Sequence, residues 1–184
     1  KIQEAIALGY TDFGENKAQE LKEKAILFPN LCWHFIGQLQ SNKVKDVVKY
    51  ATWIHSIDSL KLIHACDKES KKQNKQINIL LQINLTHEAQ KGGCSLNEIE
   101  RLIETIETCS NLNFRGLMVM GPSSMDIAMT RSVFTQAHQL LNQLQTIHKE
   151  SSELSMGMSH DYLIAIDEGS TMIRLGTFLF GQRR

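Results

Sequence analysis

The side chains with the most chemical potential lie in residues 154–181, LSMGMSHDYLIAIDEGSTMIRLGTFLFG. Two short apolar segments each run into a glycine-containing turn, one with Ser159 and Asp161, the other with Gly176 and Thr177. Hydroxyl donors beside the free N–H groups of a helix start are the chemistry of anion binding. Gly157 and Gly176 would let a backbone approach a ligand closely. An alternative is equally open: the glycines make turns and Ser159 caps the next helix. Arg174 is more informative. Two-residue alternation in MIRLGTFLF, read as strand to its Gly176–Thr177 end, puts it on the face of Met172 and Gly176. A guanidinium keeps its charge and needs an acceptor, either a structural partner such as Glu15 or Asp161 or a ligand's ring nitrogen or phosphate.

Other candidates are weaker. Asn16, after a strand in FGEN, could orient a ligand by its amide or simply cap a helix. His34 lies within a strand and reads as a core histidine bonded to a neighbour. Lys43 and Lys91, in loops, are candidates for amine chemistry, with solvation the simpler reading. The seven histidines show no metal-ligand spacing, and the four cysteines contain no C-x-x-C, so neither a metal site nor a disulfide framework is expected. That cysteine usage points to a reducing, cytoplasmic setting. Met118 and Met120 read as core filling.

The elements that must position these residues alternate. A helix over residues 1–8 is followed by a strand into FGEN, then WHFIG (33–37), residues 52–57, INILLQINL (77–85), FRGLMVMG (114–121) and the two closing strands. Amphipathic helices separate them. Ser95 and Glu98 form a capping box before the stripe Leu96, Ile99, Leu102, Ile103, Ile106, and Asp58–Ser59 reads as another cap. Seven strands alternating with helices imply a parallel sheet. Uniformly apolar strands, with polar residues gathered just after their ends, favour a single-domain (β/α)8 TIM barrel whose first strand lies upstream of Lys1. An open doubly wound sheet is the alternative, unsupported by any G-x-G-x-x-G. Twenty basic and twenty acidic residues cancel, so no global field attracts nucleic acid or an anionic membrane. No apolar run is long enough to span a bilayer.

The motifs FGEN-xx-QE (13–20), WHFIG (33–37), LQSNK (39–43), HSIDS (55–59), RGLM (115–118), LSMGMS (154–159) and EGSTMIRLGTFLFG (168–181) together resemble the pyridoxal phosphate homeostasis protein family, in family order along the whole chain. The resemblance implies an alanine racemase N-terminal domain-like barrel that binds pyridoxal 5′-phosphate (PLP). It implies that Ser159, Gly176 and Thr177 hold the phosphate, Arg174 faces the pyridine nitrogen and Asn16 lies beside the ring. It further implies a non-catalytic role in PLP buffering and delivery. PLP-dependent apoenzymes are the expected recipients and a monomer or weak homodimer the expected state. A PLP-dependent amino-acid racemase is the alternative, and a phosphosugar enzyme sharing only the barrel a more distant one. The chain departs from the family pattern at Lys17, Gln38 and His160. The lysine that attaches the cofactor covalently ends the family's first strand, upstream of the residues present here, and neither Lys43 nor Lys91 is expected to replace it.

Overall fold

The computed structural model describes residues 1–86, 88, 90–124 and 126–181. After helix α1 (Ile2–Ala7), strands and helices alternate: β1 (Asp12–Glu15), α2 (Ala18–Leu27), β2 (Cys32–Phe35), α3 (Val44–Tyr50), β3 (Trp53–Ile57), α4 (Leu60–Gln73), β4 (Ile77–Ile83), α5 (Ile99–Glu107), β5 (Leu112–Val119), α6 (Ile127–Gln145), β6 (Glu153–Met158), α7 (Tyr162–Asp167), β7 (Met172–Arg174) and α8 (Thr177–Phe180). All strand pairs are parallel and the order is β1-β2-β3-β4-β5-β6-β7. The sheet is curled into a barrel. His55 on β3 reaches Ser155 on β6 across its interior, and the Lys1 ammonium meets the Phe180 carbonyl. Among the described residues, β1 and β7 each pair on one side only.

The two faces of the sheet differ in chemistry. Ile77, Ile79, Leu81 and Ile83 of β4 join Phe13, Trp33, Phe35, Ile54, Leu117, Leu154 and Met156 in the apolar layer beneath the helices. The helices contribute stripes such as Ile99, Leu102, Ile103 and Ile106 of α5. The other face lines the interior and is largely polar. In register it carries Asp12 with Cys32, then His34 with Trp53, and Gln82 with Met118 and Ser155. Leu80 and Met118 are buried but stand apart from the apolar layer under the helices. The nearly continuous apolar run of β4 is covered on both faces, with Gln82 its buried polar member on the interior side.

Local signals account for most element ends. The Ser95–Glu98 capping box forms, opening a 3-10 turn that leads into α5. Asp126 caps α6 by accepting from the Met129 N–H at 2.7 Å, and Asn74 ends α4 in the left-handed region. Ser59 occupies the cap position of α4 without a side-chain bond, while the Asp58 carboxylate turns to the Gly93 N–H at 3.4 Å. The last strand is shorter than expected. It stops at Arg174, and residues 177–180 wind into a helical turn whose N–H groups bond back to Gly176 and Thr177.

Lys75 contributes an anchor not apparent from its sequence context. Its ammonium donates to the carbonyls of Val48, Lys49 and Ala51 at 2.7–3.0 Å, capping the C-terminal end of α3. Such a cap complements both the orphan carbonyls and the helix dipole. Lys75→Met is expected to lower stability by about 1–2 kcal/mol in urea unfolding; an unchanged midpoint would show that solvent serves those carbonyls equally well.

Candidate functional site

Arg174 closes β7 and points into the barrel. Its Nη1 donates to Ser155 Oγ at 2.7 Å and its Nη2 to the Val119 carbonyl at 3.1 Å. Both acceptors are neutral, so no direct counter-ion fixes the charge in these bonds. Burial pulls the guanidinium down to about 10, with the nearby Asp161 carboxylate acting the other way. It therefore stays a cation at neutral pH. Asp161 is itself buried and held by the Met158 N–H at 2.5 Å.

Behind Arg174 runs a chain of side chains that period-two reading did not join. Ser155 Oγ lies 2.9 Å from His55 Nδ1, His55 Nε2 lies 2.8 Å from His34 Nδ1, and His34 Nε2 lies 3.1 Å from Asp12 Oδ1. With both imidazoles neutral, the carboxylate end fixes the direction of every bond. Arginine only donates and an ionised carboxylate only accepts. Hence His34 Nε2–H donates to Asp12, His55 Nε2–H donates to His34, and the Ser155 hydroxyl donates to His55 while accepting from Arg174. Both imidazoles are neutral in this arrangement. Burial pushes His34 down, against the pull of Asp12, and pushes His55 well down, helped by His34 and the Arg174 charge. The expected core histidine bonded to a neighbour is thus one member of a five-residue chain from β7 to β1.

At the C-terminal ends of β6 and β7 the two glycine-containing turns meet. Ser159 Oγ accepts from the Phe178 N–H at 3.2 Å and lies 3.4 Å from Thr177 Oγ1. The Tyr162 and Phe178 rings, 5.5 Å apart, pack the two turns together. A Cβ added at Gly176 would meet nothing within 4 Å, so the backbone there borders open space. Two hydroxyls and a helix-start N–H thus converge beside an open backbone, an arrangement that fits an anionic group. Gly157 serves a different purpose from close ligand approach. With φ at +91°, it lets α7 press onto β6, where a Cβ would stand 2.5 Å from Ala165 Cβ.

Asn16 follows β1, at the other end of the strand order. Its carbonyl packs against Gly37, where a Cβ would stand 2.0 Å from that oxygen. Ser159, Gly176 and Thr177 come together in the turns after β6 and β7, Arg174 ends β7 itself, and Asn16 reaches the same strand-end face from β1. Glu15 pairs with Lys24 on α2. Lys43 ends the short turn Ser41–Lys43 and is exposed. Lys91 is not solvated as expected: its ammonium is held by Glu88 at 2.8 Å and by the Gly121 carbonyl. It straps the loops after β4 and β5 together, and an amine donating to both a carboxylate and a carbonyl is poorly placed for nucleophilic work.

No helix among the described residues is long and apolar enough to cross a membrane. Residues 1–184 match the family model described as alanine racemase, N-terminal domain. The chain is 38% identical over 184 residues to the pyridoxal phosphate homeostasis protein of Pseudomonas aeruginosa, covering 99% of this chain and 79% of that one. It is 40% identical over 189 residues to the protein of the same name from Synechocystis, covering 99% and 85%. The structure of PipY from Synechococcus elongatus without PLP superposes with a TM-score of 0.92 at 37% identity, over 98% of this chain and 86% of PipY. The structure of PipY with PLP bound gives 0.88 at 36% identity over the same shares. An alanine racemase from Clostridium difficile shares the fold alone, at 13% identity, a TM-score of 0.75, and 94% and 44% coverage. The seven-stranded barrel is therefore of the alanine racemase N-terminal type, and the chain belongs to the pyridoxal phosphate homeostasis protein family.

Proposed function

We propose that this protein binds PLP at the C-terminal ends of β6 and β7 and serves PLP homeostasis by holding and releasing the cofactor without turnover. The observation that supports this is the meeting of Thr177 Oγ1 and the Phe178 N–H on Ser159 Oγ, beside the open space at Gly176 and just past the strand that ends in the cationic Arg174. Ser159, Gly176 and Thr177 would hold the phosphate, Arg174 would face the pyridine nitrogen, and Asn16 would lie beside the ring. Family membership, with PLP bound in the PipY structure, supports the choice of ligand.

Bound PLP supplies an electrophilic aldehyde and, when its ring nitrogen is protonated, a strong electron sink. Arg174 works against that protonation, since a fixed guanidinium charge disfavours a second positive charge beside it. The Ser155–His55–His34–Asp12 chain supports this role by engaging one Arg174 N–H and holding the guanidinium in one orientation. Asp161 keeps the charge in place. In this reading these residues bind and orient the cofactor. The proposed recipients are PLP-dependent apoenzymes, and the whole of residues 1–184 acts as one binding domain.

PLP-loaded protein is expected to show saturable binding by absorbance and no racemisation of L- or D-alanine by chiral chromatography. Sustained turnover would replace the carrier reading with that of a racemase.

A further inference from the structure

The far end of the polar chain, at the start of β1 and β2, gathers a second constellation outside the proposed cofactor site. Cys32 and His34 are two apart on β2 and so share a face, and Asp12 pairs with Cys32 in the β1–β2 register. His34 Nε2 stands 3.1 Å from Asp12 Oδ1 and 3.4 Å from Cys32 Sγ. One ligand atom from each of the three residues lies within 4.8 Å of the others. A tetrahedral zinc ion, with bonds of about 2.0–2.3 Å, holds adjacent N, O and S ligands roughly 3.3–3.6 Å apart. The two His34 spacings fall within a few tenths of an ångström of that shell. We propose that Asp12, Cys32 and His34 form a site for a divalent cation of the zinc type, with a fourth position open to water.

Three further features fit this site. The donor set mixes one sulfur, one imidazole nitrogen and one carboxylate oxygen, which suits zinc or cobalt and disfavours calcium and magnesium. Asp12 is exposed, Cys32 half-buried and His34 buried, so a cation can arrive from solvent onto an anchored imidazole. The Trp53 indole stacks on that imidazole, with centroids 5.5 Å apart and planes 3° from parallel, fixing its orientation.

The outer partner that a metal-bound histidine requires is also in place. A cation at His34 Nε2 takes the lone pair that is protonated in the metal-free chain, so the proton must move to Nδ1. There His55 Nε2 can accept it, and His55 Nδ1–H can in turn donate to Ser155 Oγ, which has a second lone pair beside the one engaged by Arg174. Metal binding therefore reverses the direction of both histidine bonds while each keeps the same two partners, with the Ser155 hydroxyl hydrogen rotating away from His55. A plain hydrogen-bonded triad shows the same distances but predicts no such reversal.

Cobalt(II) titration of the protein separates the two. The expected result is a thiolate-to-cobalt charge-transfer band in the near ultraviolet with tetrahedral-intensity visible bands, saturating at one equivalent and displaced by zinc. Cys32→Ser should abolish the charge-transfer band, and Asp12→Asn should weaken cobalt at least tenfold. Neither residue is in the buried core, and circular dichroism checks that each variant keeps its fold. Histidine 15N spectra should show the ring proton moving from Nε2 to Nδ1 on His34 and His55 when zinc is added. No thiolate band in excess cobalt, a band that survives in Cys32→Ser, or unchanged histidine tautomers with zinc would each overturn the proposal. None of these readouts involves PLP.

Discussion

An Arg174→Ala, Ser159→Ala double variant is expected to bind PLP about a hundredfold or more weakly than the parent protein. A hydrogen bond from a cation to an anionic or basic ligand atom contributes about 1.5–3 kcal/mol and a neutral one about 0.5–1.5. Arg174 ends β7 and Ser159 lies in the turn after β6, with different bonding partners, so their losses should be close to additive. Stability is expected to change little. Removing the guanidinium strips a donor from Ser155 Oγ and the Val119 carbonyl, but it also removes an interior charge that both of those bonds leave unneutralised. Equilibrium dialysis with PLP gives the affinity and a thermal melt controls for folding. Parent-like binding by a folded double variant would move the cofactor site elsewhere.

Gly157→Ala should be the most damaging single change near the site, at about 2–5 kcal/mol. Residue 157 sits at φ +91°, which costs a side-chain-bearing residue roughly 1–2 kcal/mol. The new methyl would also stand 2.5 Å from Ala165 Cβ and 3.1 Å from Tyr162 Cα, adding about 1–3 kcal/mol of overpacking. Relief requires α7 to back away from β6, and the turn that carries Ser159 and Asp161 lies between those two elements. PLP affinity should therefore fall along with the urea midpoint. Ala165→Gly in the same chain removes the methyl that is struck and should recover the steric part only. A double-mutant cycle with no coupling would mean that the contact does not limit α7.

What could be read from the sequence followed from rules that act over a few residues. The capping box at Ser95, the doubly buried run of β4 and the face shared by Met172 and Arg174 each depend on spacing within one element, and each is present. What could not be read depends on the curl of the sheet. His55 and Ser155 are 100 positions apart and meet only because β3 and β6 face one another across the barrel. Alternation puts His55 on the same face as Trp53, but it does not say which strand lies opposite. Lys91 is a similar case: a loop lysine looks solvated until the β5 loop supplies the Gly121 carbonyl. Reading the final strand on to Gly176–Thr177 overshoots its end at Arg174, because alternation does not say where the backbone turns, and the N–H groups of the next turn fold back on Gly176.

The strictly sequential strand order makes the barrel a one-dimensional stack bent round on itself, in which each unit leans chiefly on the units before and after it. Because every strand runs in the same direction, each delivers its C-terminal end to one rim, so Asn16 after β1 and Ser159 after β6 border the same opening although they are far apart in the chain. A residue inserted in a strand-to-helix turn would therefore reach that rim, and one inserted in a helix-to-strand turn would reach the opposite end. The two kinds of turn can thus vary independently, one shaping the opening and the other leaving it untouched.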